Sequence, residues 1–120
     1  MIIAIPSDGE SLDTSVCVSF GRTPFYCLYD TETKECEFKV NEAAESPGGA
    51  GIMAAQTLVD KKVATLITIR CGENAAKILQ SANISLYKAL DLSIADNIDA
   101  FLNKKLSVLE SIHPGFHNGH

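Results

Sequence analysis

At 120 residues the chain has room for one domain, not two. With 46% apolar and 21% charged residues it is globular rather than disordered, and long enough to bury a core without disulfides or metal as staples. Ten basic residues against fifteen acidic ones give a formal charge of −5, which counts against a nucleic-acid binder and against a polybasic membrane anchor.

Ile2 to Ile5 is a short, β-branched apolar run and reads as a buried strand stopped by Pro6. No basic n-region or long apolar h-region opens the chain, so a cytoplasmic protein is expected. Ser7-Asp8-Gly9 is turn chemistry. Ser11 to Val16 is too short and polar for more than a helical turn. Ser19 to Pro24 is a loop punctuated by Gly21 and Pro24. Phe25 to Tyr29 and Cys36 to Val40 are predicted to pair as an antiparallel hairpin across the polar stretch Asp30 to Glu35, with the Glu37/Lys39 face suited to an edge. Residues 42 to 51 are irregular, and Gly48, Gly49 and Gly51 imply a positive φ or a close approach.

A helix is predicted over Ala50 to Lys61, with an inward stripe of Ile52, Ala55, Leu58 and Val59. The strongest apolar run, Val63 to Ile69, is predicted as the central strand, flanked by parallel neighbours from residues 2 to 5 and 84 to 87. It is far shorter than the roughly 20 residues of a membrane-spanning helix. Arg70 to Asn74 is a sharp turn into a second helix, about Glu73 to Ala82, with Ala75, Ile78, Leu79 and Ala82 inward. Ile84 to Tyr87 is a short strand. Ser93, with Asp96 three residues on, opens a third helix in capping-box fashion. The expected result is a three-layer α/β domain over residues 1–110 with a mixed five-stranded sheet, followed by a flexible histidine-containing tail over 111–120. Ligands of such sheets sit beyond the carboxyl ends of parallel strands, where the loops Ser7–Gly9, Ser46–Gly51 and Arg70–Asn74 are expected to converge.

Several groups there carry candidate chemistry. Gly48-Gly49-Ala50-Gly51 opens a helix, either as an anion-binding turn or as a close-packing one. Cys71-Gly72 stands at a strand end beside a helix N-terminus, a setting that lowers a thiol pKa; a buried structural cysteine is the other reading. Cys17 lies in the loop near the same edge. Cys27 and Cys36 sit inside strands and read as core. No CxxC occurs, so neither a zinc ribbon nor a thioredoxin motif is present. Arg22 either meets an anion or is a solvated surface arginine. His113, His117 and His120 are metal-competent imidazoles in a stretch that Pro114 and Gly115 keep from being a helix.

The order of these motifs resembles the dinitrogenase iron–molybdenum cofactor biosynthesis family. Ile2 to Pro6 resembles its first strand. Ser19-Phe20-Gly21-Arg22-Thr23-Pro24-Phe25-Tyr26 resembles its Phe-Gly-Arg-x-Pro-aromatic stretch. Gly49-Ala50-Gly51 resembles its glycine turn, and Cys71-Gly72-Glu73-Asn74-Ala75 its Gly-Pro-Asn-Ala turn. The likeness covers about residues 1 to 105. Relatives often carry histidine where Gly48 stands and proline where Glu73 stands.

The resemblance implies a ribonuclease-H-like fold without nuclease activity. It also implies binding of an iron–sulfur or molybdenum-containing cluster for assembly or delivery, with a cluster-donor or acceptor protein as partner. Cofactor contacts are expected from Phe20, Gly21, Arg22, Gly48, Gly49, Ala50, Gly51, Gly72 and Asn74, and metal ligation from Cys71, Cys17 and His117. No enzyme activity, nucleic acid or membrane is implied. The alternative is a metal-free regulatory module for a small anionic metabolite. A thiol-dependent enzyme using Cys71 is weaker, because no histidine precedes residue 113 to act as its base.

Overall fold

The structure is a computed structural model that describes residues 1–109. The histidine tail, and His117 with it, lies outside the described residues. Five strands form one sheet: β1 (Ile2–Ser7), β2 (Phe25–Asp30), β3 (Cys36–Val40), β4 (Thr65–Thr68) and β5 (Ser85–Lys88), in the order β3-β2-β1-β4-β5. The β1–β2 and β2–β3 pairs are antiparallel, and the β1–β4 and β4–β5 pairs are parallel. Only β2 therefore runs against the rest. The mixed sheet and the edge position of the hairpin match expectation.

Two faces of β1 feed two cores. Ala4 joins Leu66 of β4 beneath α1 (Ala50–Asp60) and α2 (Glu73–Ser81), whose Ala54, Ala55, Leu58, Ala75, Ala76 and Leu79 are buried. Ile3 and Ile5 join Ile67 on the other face, against Ile94 and Ile98 of α3 (Ile94–Leu102). This is the three-layer arrangement that alternating strand residues impose. None of these helices is long and apolar enough to cross a membrane.

The differences from the sequence reading have local causes. Pro6 does not stop β1, which runs on to Ser7. Its carbonyl accepts from the Cys17 N–H, so its nitrogen also faces away from β2 and the ladder there loses no donor. The Val63–Ile69 strand is shorter, Thr65 to Thr68, because the Thr68 hydroxyl donates to the Arg70 carbonyl and folds the chain into a turn. It is interior, with the expected parallel neighbours on either side, but β1 occupies the middle of the sheet. A single 3-10 turn, Glu42–Glu45, precedes the glycines. Ile52 and Ala82 point to solvent, and Ala54 and Ala76 take inward places instead. Small alanines let α1 and α2 sit close to each other and to the sheet.

The α3 cap is as expected: the Ser93 hydroxyl accepts from the Asp96 N–H at 3.1 Å. The remaining first-turn donors of α3 are also used, Ile94 N–H by the Thr14 carbonyl and Ala95 N–H by the Leu12 carbonyl. Residues 107 to 109 run antiparallel beside β5, with Leu109 N–H on the Leu86 carbonyl, and cover that edge of the sheet.

Candidate functional site

A cleft of about 620 Å³ opens between the N-terminal ends of α1 and α2. Three segments wall it: Val18–Arg22, Gly49–Ile52 and Arg70–Ala75. The expected third loop, Ser7–Gly9, is not among them. It is occupied behind the cleft, where Ser7 pairs with Val16 and its carbonyl accepts from the Thr23 hydroxyl. The loop from Val18 to Arg22 takes its place.

Close approach of two backbones holds the first wall to the second. A Cβ on Gly21 would stand 2.8 Å from the Gly51 nitrogen and 2.9 Å from its Cα, so the contact requires glycine. Asn41, buried at the end of β3, ties the same loop down: its amide donates to the Gly21 and Thr23 carbonyls at 2.9 Å each. Gly49 caps α1 with φ at +70°, the left-handed region that glycine enters freely. Gly48 is absent from the cleft lining. It faces open solvent, and its carbonyl accepts from the Ser46 hydroxyl.

The electrostatics centre on the two helix starts. Neither Gly49 nor Gly72, the N-caps of α1 and α2, brings a side-chain acceptor to its helix. Among the described residues, the first-turn N–H groups of Ala50, Gly51, Ile52, Glu73, Asn74 and Ala75 meet no protein acceptor. This contrasts with α3, whose corresponding donors are all used. Two helix N-termini whose first-turn donors are unused among the described residues face one cleft and concentrate positive potential there. Two arginines add to it. The Arg22 Nη1 donates to the Ala44 and Ser46 carbonyls at 2.9 Å each, which fixes the side chain across the 3-10 turn. Arg70 is exposed at the rim, and its guanidinium has no partner among the described residues. The Glu73 carboxylate is drawn toward Lys77, 4.0 Å away one turn along α2. The sequence places Arg70 in the turn expected at this edge but does not mark its side chain as a cofactor contact.

Cys71 reaches the cleft but not as expected. Only 1% of it is exposed, and burial pushes its thiol up to about 11 rather than down. The neighbouring helix start does not overcome that desolvation. Cys17 does not line the cleft. It lies close to Tyr26, whose phenol donates to the Phe20 carbonyl and is pushed far above its usual range by burial, then by the Cys71 and Cys17 sulfurs. The Phe20 ring packs on Tyr26 with centroids 5.7 Å apart. Of the expected ligands Cys71, Cys17 and His117, only Cys71 lines the cleft among the described residues, and His117 lies outside them; among the described residues no group of three His, Cys, Asp or Glu could hold a metal ion.

The raised thiol makes stability depend on pH. Cys71 titrates near 9 when unfolded and about 11 when folded, so its contribution is complete below pH 9 and is lost as pH rises toward 11. Cys27, raised mainly by burial, adds in the same direction. Urea unfolding between pH 9 and 11 should show falling stability, and Cys71→Ser should remove one proton's share, about 1.4 kcal/mol per pH unit. An unchanged slope in that variant would contradict the burial of the thiol.

Residues 1–104 match the family model described as dinitrogenase iron-molybdenum cofactor. The chain belongs to that family. The apo form of the orange protein from Desulfovibrio gigas is 29% identical, with a TM-score of 0.86 over 92% of this chain and 93% of that one. A putative NifB protein from Thermotoga is 31% identical, with a TM-score of 0.82 over 98% of each chain. An uncharacterized protein from Methanocaldococcus jannaschii is 29% identical over 113 residues, 92% of each sequence. The agreement runs through the cleft-forming segments as well as the sheet, since the family match spans all three walls.

Proposed function

We propose that the cleft carries a small anionic metal–sulfur cluster, iron–sulfur or molybdenum-containing, for assembly or delivery to a protein partner. The observation that carries this reading is the convergence on one cleft of two arginines and two helix N-termini whose donors are unused among the described residues, in a chain whose net charge is −5. Backbone N–H groups of Gly51, Ile52, Asn74 and Ala75 would meet sulfide or oxo edges, Arg70 would close over them, and Cys71 would offer a sulfur from the wall. Binding rather than catalysis is the proposed role, in the cytoplasm. The frame is read as ribonuclease-H-like, which the β3-β2-β1-β4-β5 order with a single reversed strand supports. Family membership supports the cluster as cargo.

A second reading is favoured by one observation. Cys71 is held protonated, so the cleft also suits a metal-free anion such as a phosphorylated metabolite, held by N–H groups and arginine alone. Anaerobic reconstitution with iron and sulfide, followed by absorbance and metal counting, separates the two. Cluster loading should leave bound metal after desalting and raise the melting temperature by on the order of ten degrees near saturation. No retained metal, together with a melting shift from inorganic phosphate, would replace the cluster reading with the metal-free one.

A further inference from the structure

On the sheet face that α3 packs against, the Cys27 and Cys36 sulfurs stand 2.8 Å apart. Strand register brings them there. Tyr29 lies opposite Cys36 and Cys27 opposite Phe38, so the two cysteines are diagonal neighbours on one face of the hairpin. Both are free thiols, and their separation is already most of the way to the about 2.05 Å of a disulfide. Cys27 is fully buried, whereas Cys36 is partly exposed. The face is open at this point because α3 packs toward β1 and β4, leaving Tyr29 and Phe38 only partly covered.

We propose that Cys27 and Cys36 form a redox-active dithiol that closes to a cross-strand disulfide when a low-molecular-weight disulfide reaches Cys36. The Cys36 thiolate attacks one sulfur of the small disulfide, whose S–S bond breaks and releases one small thiolate. A mixed disulfide on Cys36 results. Cys27 gives its proton to water and attacks the Cys36 sulfur, expelling the second small thiolate. Two protein thiols are oxidised, and one small disulfide is reduced to two thiols. Exposure sets the order: Cys36 is met first and Cys27 resolves. Burial keeps both thiols protonated at neutral pH, which makes the first attack slow and selective for sustained oxidising conditions. The closed bond would staple the free edge strand β3 to β2. The dithiol sits on the opposite sheet face from α1 and α2, so it does not depend on what the cleft carries.

The test uses the full chain incubated with oxidised glutathione, then alkylated in denaturant and mapped as non-reduced peptides by mass spectrometry. One disulfide should join the peptides that carry Cys27 and Cys36, with Cys17 and Cys71 alkylated. Cys27→Ser should instead accumulate one glutathione adduct on Cys36. Alkylation of both Cys27 and Cys36 after glutathione has fully oxidised an unstructured dithiol peptide in the same tube would overturn the proposal. So would a disulfide joining either residue to Cys17 or Cys71. The wild-type map decides the matter if the serine variant does not fold.

Discussion

Gly21→Ala should lower the melting temperature by about ten degrees or more and abolish anion binding in the cleft. The added methyl would lie 2.8 Å from the Gly51 nitrogen, 2.9 Å from its Cα and 3.3 Å from the Ala50 carbonyl carbon. All three are backbone atoms at the start of α1, so no side chain can swing aside. Either the Val18–Arg22 wall lifts or α1 shifts. Lifting the wall strains the Asn41 bonds to the Gly21 and Thr23 carbonyls and the Arg22 bonds to the 3-10 turn. Overpacking of this kind costs about 1–3 kcal/mol, and broken bonds to a buried amide add to it. In a domain of this size that is on the order of ten degrees. Gly48→Ala is the control, since a Cβ there meets nothing within 4 Å and that glycine has no positive φ. It should melt within a degree or two of wild type. Thermal melts and phosphate or cluster titrations on the two variants check both halves. Equal stability of the two would show that the walls do not rely on this contact.

The parts of the site legible from sequence were those that local chemistry dictates. A glycine before an apolar stripe marks a helix start without a side-chain cap, and both α1, after Gly49, and α2, after Gly72, begin that way. The Ser93 cap and the β2–β3 hairpin follow from the same kind of local signal. What was not legible depends on neighbours distant in sequence. Cys71 stands at a strand end beside a helix start, as expected. Its thiol is nevertheless raised, because it belongs to the core that α1, α2 and β4 build together. The Ser7–Gly9 loop follows a strand whose end does face the cleft side, yet Val16 and Thr23 already use its backbone. Cys27 and Cys36 both read as core residues inside strands; Cys27 is buried within β2, whereas Cys36 opens β3 and is only partly buried, because that edge of the sheet is not covered there. Their contact needs the register, which places them diagonally, and composition does not give register.

Cys71→Ser should weaken cluster binding at least tenfold, while Cys27→Ser and Cys36→Ser leave it within about twofold. The contrast rests first on place. Cys71 lines the cleft between α1 and α2, and the other two lie across the sheet with α3. It rests next on chemistry, because a hydroxyl is a poor substitute for thiolate at a soft metal. The raised pKa works against ligation, so the metal must displace a proton that burial holds in place. A tenfold loss is about 1.4 kcal/mol, a modest figure for a ligand that starts as a protonated thiol. Arg70→Ala separates the remaining share, since that guanidinium serves no structural bond among the described residues and its loss should weaken the cluster and phosphate alike. Anaerobic titrations and melts on all four variants supply the comparison. A Cys71→Ser protein that binds cluster as wild type does, beside an Arg70→Ala protein that does not, would place the whole affinity on the N–H groups and the arginines. The sulfur would then be a core residue that happens to face the cleft.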